Sequence, residues 1–162
     1  MDKQAIPYTA PKLYNMVAGS PAELMLHEEA IRLARKGWGD PFRDWDYEVL
    51  TMETDKGLVV SALAFTEDEP NKAIVISLGT TLQGYRKCGL YRILWTRLIE
   101  IAKERGLKEI HAYRDPRNKE STAMSKAFGR EDFSIGSRYK VGAHRALPTI
   151  NPIEALCGQG RR

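Results

Sequence analysis

Residues 82–95, LQGYRKCGLYRILW, set Gly84, Arg86, Lys87, Cys88 and Gly89 directly ahead of an apolar-striped segment of helical period. The N–H groups of a helix's first turn lack intrahelical acceptors, and the helix dipole adds positive charge there. A glycine-led helix start beside Arg86 and Lys87 is therefore suited to hold an anion. Gly84 and Gly89 keep the four-residue gap of a P-loop, but Leu90 and Tyr91 stand where that motif needs Lys and Ser/Thr to reach terminal phosphates and magnesium. No G-x-G-x-x-G run opens the helix either, so nucleotide triphosphatase and dinucleotide chemistry are both disfavoured. Arg86 and Lys87 read as phosphate contacts or as solvent-facing loop charges. Gly89 reads as a tight-turn residue or as a point of close ligand approach, since both require a missing side chain. Cys88 reads as a bystander.

Such a loop must be positioned by a strand before it and a helix after it. Ser20-Pro21 has the form of an N-cap followed by a first-position proline, with Glu23 in the first turn, predicting a helix over SPAELMLHEEAIRLARKG that Gly37 stops. Its apolar residues Leu24, Leu26, Ala30, Ile31, Leu33 and Ala34 are loosely helical in spacing. YEVLTMET and LVVSALAF flank the hairpin signal Asp55-Lys56-Gly57, and AIVISLG, apolar on both faces, reads as a central third strand. These three are expected to be antiparallel neighbours. Leu90, Ile93, Leu94, Leu98, Ile101 and Ala102 stripe the helix after the loop, which ends at Gly106. LKEIHAYRD then follows a helical crossover and is expected parallel to AIVISLG. NKESTAMSKAFG reads as a further helix, capped by Asn118 and closed by Gly129, and FSIGSRYKV as a last strand.

The 162 residues suit one domain, assigned to 1–142, with a loosely held tail over 143–162. No run of about 18 apolar residues is present to span a bilayer, and the N-terminus lacks the regions of a signal peptide, so a soluble, cytoplasmic protein without membrane partners is expected. Cys88 and Cys157 have neither metal-site nor disulfide-framework spacing and read as free thiols; no metal is expected. Residues 1–85 hold 8 Lys/Arg against 13 Asp/Glu, a net −5, whereas residues 86–162 hold 17 against 8, a net +9. The division reflects either solvated helix faces or an anionic ligand on the second half and a cationic one near the first.

Arg86-x-x-Gly89-x-Tyr91 after a central strand resembles the Gln/Arg-x-x-Gly-x-Gly/Ala signature of the GCN5-related N-acetyltransferase (GNAT) family. The resemblance extends over roughly residues 47–135, in the order strand, loop, long helix ending in glycine, strand, Asn118, short helix and Gly129. It implies an α/β fold with a mixed, mainly antiparallel central sheet of about six strands and helices on both faces. It also implies that the loop Arg86, Lys87, Cys88, Gly89, Leu90 and Tyr91 grips the pyrophosphate of acetyl-coenzyme A, the acyl donor. Asn118 then contacts the cofactor arm or merely caps its helix. Two positions depart from the pattern. Tyr91 replaces a small residue, so its side chain points away from the phosphates or the cradle is altered. Ser125 stands where the family commonly carries a tyrosine that protonates the departing thiolate.

The chemistry so implied is direct transfer of an acetyl group to an amine. Alkyl amines of pKa ~10 are mostly protonated near neutrality, so a proton must be taken up. Glu67, Asp68, Glu69 and His111 read as solvated or structural, and no general base is assigned. A backbone N–H near Thr81 or Leu82, at the end of the central strand, could face the thioester oxygen where charge develops. Trp38 and Trp45, among Asp40, Asp44 and Asp46, form a satellite core or line an acceptor pocket. The acidic first half would suit a cationic small molecule or a protein amine. A catalytically impaired GNAT-like binding module is the alternative. So is a GNAT-like enzyme acting on nucleic acid, which the basic second half with Arg138, Lys140, Arg161 and Arg162 suggests. A homodimer is compatible with each.

Overall fold

The structure, a computed structural model, describes residues 7–37, 47–113, 131–133 and 136–142. In chain order its elements are β1 (Lys12–Asn15), α1 (Pro21–Arg35), β2 (Glu48–Glu53), β3 (Val59–Asp68), β4 (Ala73–Thr81), α2 (Leu90–Glu104), β5 (Glu109–Tyr113), β6 (Glu131–Phe133) and β7 (Gly136–Lys140). The seven strands form one sheet in the order β1-β2-β3-β4-β5-β7-β6. Strands β2, β3 and β4 are antiparallel neighbours, and β4 pairs parallel with β5 across the α2 crossover, as the sequence predicted. FSIGSRYKV is not one strand. It contributes the end of β6 and the whole of β7, which pair antiparallel from Glu131↔Arg138 to Phe133↔Gly136. That hairpin raises the sheet from the expected six or so strands to seven.

Each helix forms where its ends are locally specified. Ser20 Oγ accepts the Glu23 N–H at 3.3 Å, and the Glu23 carboxylate accepts the Gly19 N–H at 3.3 Å, so the start of α1 is satisfied by its own side chains. At its other end Gly37, at φ +71°, turns the chain and donates its N–H to Ala34 O at 2.9 Å. Ala22, Leu26 and Ala30 recur every four residues and bury α1 against Val49, Ala62 and Ala64. Leu24 and Ile31, expected on that stripe, are exposed instead; they lie off the narrow face that meets the sheet.

Helix α2 covers the opposite face with Leu90, Ile93, Leu94, Leu98, Ile101 and Ala102, all buried, and adds Trp95, which is completely enclosed. Trp95 meets the Tyr139 ring edge-on, with centroids 5.4 Å apart, and thereby closes the core between α2 and β7. Burial there raises the Tyr139 hydroxyl above the usual phenol range. Because the folded-state pKa exceeds the unfolded one, this contribution to stability is complete below about pH 10 and is lost as pH rises further. Thermal melts between pH 9 and 11 should show stability falling more steeply for the wild type than for Tyr139→Phe. Tyr14, raised chiefly by burial as well, retains part of the slope in both.

Beyond α2, the Arg105 guanidinium grips Glu48 with two hydrogen bonds, at 2.6 and 2.8 Å, and also reaches Glu67. The C-terminal end of α2 is thus tied to β2 and β3, and its N-terminal end is set beside the far end of β4.

Candidate functional site

The site begins where two strands part. Pairing of β4 with β5 runs from Ala73↔Glu109 to Ile76↔Ala112 and ends there, although β4 continues beside β3 to Thr81. The parting coincides with a bulge: Phe65 pairs with Ile76 and Ala64 with Leu78, so Ser77 is the extra residue, and it is exposed. From Ser77 onward, no described strand occupies the β5 side of β4.

Hydrogen-bond alternation fixes which backbone groups face that opening. Leu82 donates its N–H to Val60 O at 2.8 Å, which makes Thr81 and Ser61 a non-hydrogen-bonded pair. The N–H and C=O of Thr81, and of Gly79 two residues earlier, therefore turn to the opposite edge. The Thr81 carbonyl confirms the direction by accepting Arg86 Nε–H at 2.9 Å. This corrects one expectation. The Leu82 N–H is engaged by β3, whereas the N–H groups of Thr81 and Gly79 face the opening. Gly79 carried a sequence signal, since a glycine inside a strand marks a close approach by a ligand or neighbouring group.

The loop from β4 to α2 is built from residues of positive φ: Gly84 at +93°, Lys87 at +59° and Gly89 at +82°. A residue of positive φ beside one of negative φ turns neighbouring amides toward one side, the geometry that anion-binding nests use. Gly89 is the N-cap of α2, with no side-chain cap bond, and the first turn contains no acidic residue. The contrast with α1, whose start is closed by Ser20 and Glu23, is physical: α2 presents its positive end, with Arg86 and Lys87 exposed beside it. The Cys88 thiol is buried in the core under α2 and donates to Arg86 O at 3.5 Å. Leu90 is buried likewise, so both residues can offer a ligand only backbone groups.

Tyr91 resolves the alternative left by the sequence. A Cβ built on Gly79 would lie 2.4 Å from Tyr91 Cε2 and 2.6 Å from its hydroxyl oxygen. The phenol is therefore laid back along β4, with its hydroxyl edge on the glycine, and does not project from the helix start into the nest. Any side chain at position 79 would require the Tyr91 ring or the strand to shift.

The acidic candidates lie elsewhere. Because β3 is antiparallel to β4, Glu67, Asp68 and Glu69 sit at the Ala73 end, roughly 20 Å from Thr81 at the rise of an extended strand. Glu67 is bound to Arg105, and Asp68 accepts a hydrogen bond from Asn71 at 2.7 Å. Their structural reading agrees with these contacts. His111 is opposite Val75, just before the strands part, on the face away from α2, with Nε2 3.5 Å from Glu109 Oε1. Glu109 also lies 3.8 Å from Arg138 Nε, and the cross-strand pairs Glu109↔Lys140 and His111↔Arg138 form a polar ladder. Asn118, Ser125, Trp38, Trp45, Asp40, Asp44, Asp46, Arg161 and Arg162 lie outside the described residues.

A family model described as the acetyltransferase (GNAT) family matches residues 13–129. No curated protein matches the sequence. Among solved structures, GCN5 from Tetrahymena superposes with a TM-score of 0.64 at 8% identity, covering 86% of this chain and 100% of that one. YncA from Salmonella typhimurium, solved with its cofactor acetyl-CoA, gives 0.61 at 18% identity, covering 85% and 98%. The ribosomal-protein-S18-alanine N-acetyltransferase from Escherichia coli gives 0.60 at 10%, covering 86% and 99%. At these identities the superpositions establish the fold.

Proposed function

The chain belongs to the GNAT acetyltransferase family, and from that premise we propose that it moves an acetyl group from acetyl-coenzyme A directly to an amine. The observation that carries the reading is the adjacency of two backbone surfaces: the glycine-led start of α2, which the N-cap side chain does not close, and the edge of β4 at Gly79 and Thr81, beyond the end of its pairing with β5. A diphosphate suits the first, and an amide-bearing arm ending in a thioester suits the second.

In this reading the backbone of Gly89, Leu90 and Tyr91 holds the diphosphate, with Arg86 and Lys87 supplying positive charge. Arg86, tied to Thr81 O, also fixes the loop against the strand. Thr81 and Gly79 receive the arm as an added strand would be received, and the Gly79 N–H donates to the thioester oxygen as negative charge gathers there. The donor supplies an activated acyl group whose thiol, with a pKa of about 8.5, leaves readily with hydrogen-bond assistance. Holding both reactants in one cleft provides much of the remaining acceleration. Direct transfer is favoured over a covalent acyl-enzyme because the thiol of Cys88, beside the nest, is buried in the core. The incoming amine passes its proton to solvent or to a base we do not assign.

The acceptor is proposed as an amine, small or protein-borne. The argument for positive charge on it rests on the acidic residues 1–85, and it is weakened by the structure. Glu29, Glu48, Glu53 and Glu67 are each engaged by an arginine or lysine. Titration calorimetry of the full chain tests the donor first: acetyl-coenzyme A and free coenzyme A should bind, and ATP should bind at least ten-fold more weakly. A thiol-release assay over cationic, neutral and anionic amines then tests the acceptor. Equal or tighter binding of ATP would remove the proposal, and absence of thiol release with every amine would replace the enzyme by a binding module.

A further inference from the structure

We propose that Tyr91 sets the size of the acyl group, restricting the donor to a short-chain acyl thioester. The inference rests on the function proposed above and concerns the wall of the same cleft. Gly79 is one of the two β4 residues whose N–H faces the opening, and the phenol lies over its α-carbon, on the α2 side. Tyr91 Cε2, Oη and Cζ are 2.4, 2.6 and 2.9 Å from where a Cβ would stand. Standard geometry places the Gly79 nitrogen about 2.5 Å from that position, so the hydroxyl oxygen is within about 5 Å of the nitrogen. A carbonyl oxygen accepting from Gly79 sits about 2.9 Å from the same nitrogen. That oxygen lies at the strand edge and the phenol on the α2 side of the same residue, so a carbon chain that leaves the carbonyl toward α2 meets the phenol edge, and each added methylene must be accommodated beside it. Tyr91 is only half-buried, so part of the ring remains accessible to a ligand. It cannot retreat easily, because the residue projects from the first turn of α2 and is packed between that helix and β4.

The test is calorimetry of the full-length chain and its variants with acetyl-coenzyme A, butyryl-coenzyme A and free coenzyme A. The wild type should bind the acetyl thioester at least ten-fold more tightly than the butyryl one. Tyr91→Ala should bring the two within about three-fold of each other, while Tyr91→Phe, which keeps the ring, should hold the wild-type preference. Tyr91→Leu, which retains an apolar contact on Gly79 but is shorter, stands in should the alanine variant fail to fold, and it too should narrow the ratio. A merely structural role would weaken all three ligands together and leave the ratio alone. An unchanged ratio in a folded alanine or leucine variant overturns the proposal, as does a wild type that binds both thioesters equally. If the wild type binds none of the three ligands, it is the function proposed above that has failed, and this inference falls with it.

Discussion

Replacing Gly89 by aspartate should reduce affinity for acetyl-coenzyme A by about 100-fold or more while leaving the chain folded. Gly89 caps α2 at φ +82°, in a loop that already includes Gly84 and Lys87 at positive φ. A non-glycine residue in that region costs about 1–2 kcal/mol, with Asn and Asp the most tolerant. For a chain of this length the melting temperature should fall by only about 2–8 °C. Binding suffers far more. A carboxylate about 5 Å from a diphosphate at an effective dielectric of 20 meets a repulsion of roughly 3 kcal/mol for each unit of charge. Gly89→Asn isolates the cause, because it shares the backbone strain and the added bulk but not the charge, and it should lose markedly less affinity than the aspartate variant. Calorimetry paired with thermal melts checks both. The start of α1 shows that α2 is a special case. There Ser20 Oγ already accepts the Glu23 N–H and the Glu23 carboxylate already sits at the helix start, on the Gly19 N–H. Retained affinity in the aspartate variant would mean that the diphosphate is held elsewhere.

Local signals exposed most of the scaffold. Ser20-Pro21, Asp55-Lys56-Gly57 and Gly106 act over a few residues, and the stripe from Leu90 to Ala102 repeats often enough to be read without tertiary information. The loop at Gly84–Gly89 was legible for the same reason, since a helix start announces its own unsatisfied amides. What escaped was non-local. The hairpin of β6 and β7 was hidden because no Asn-Gly or Asp-Gly pair stands between Phe133 and Gly136 to mark a turn within FSIGSRYKV. The bulge at Ser77 arises from how β4 registers on β3, and nothing in SLGTT dictates it. Once the bulge is in place, it decides which amides face the opening, those of Gly79 and Thr81 rather than that of Leu82. Tyr91 looked like a defect in a cradle when considered alone. Its partner is twelve residues upstream on a different element, and only the fold brings the two together.

That partnership yields the second large effect: Gly79→Val should destabilise the fold by about 1–3 kcal/mol, and Tyr91→Ala should restore much of the loss. By propensity alone, valine improves a strand, so without the contact the substitution would be neutral or favourable. With it, the new Cβ would stand 2.4 Å from Tyr91 Cε2, closer than any real contact permits, and the ring must rotate off β4 or the strand must shift. Overpacking of this kind costs about 1–3 kcal/mol, here a fall in melting temperature of about 2–12 °C. Tyr91→Ala alone loses the packing of the ring and is destabilising as well. The double variant fills from β4 part of the space that the phenol vacates on α2, so the two losses should not add. A double-mutant cycle by chemical denaturation should give a favourable coupling of about 1–3 kcal/mol between the positions, at the upper range for residues in contact. Additivity would show that the ring moves aside at little cost, and a mobile ring could no longer serve as a fixed wall for the acyl group. The same cycle therefore measures the rigidity on which donor selection depends, without any ligand present.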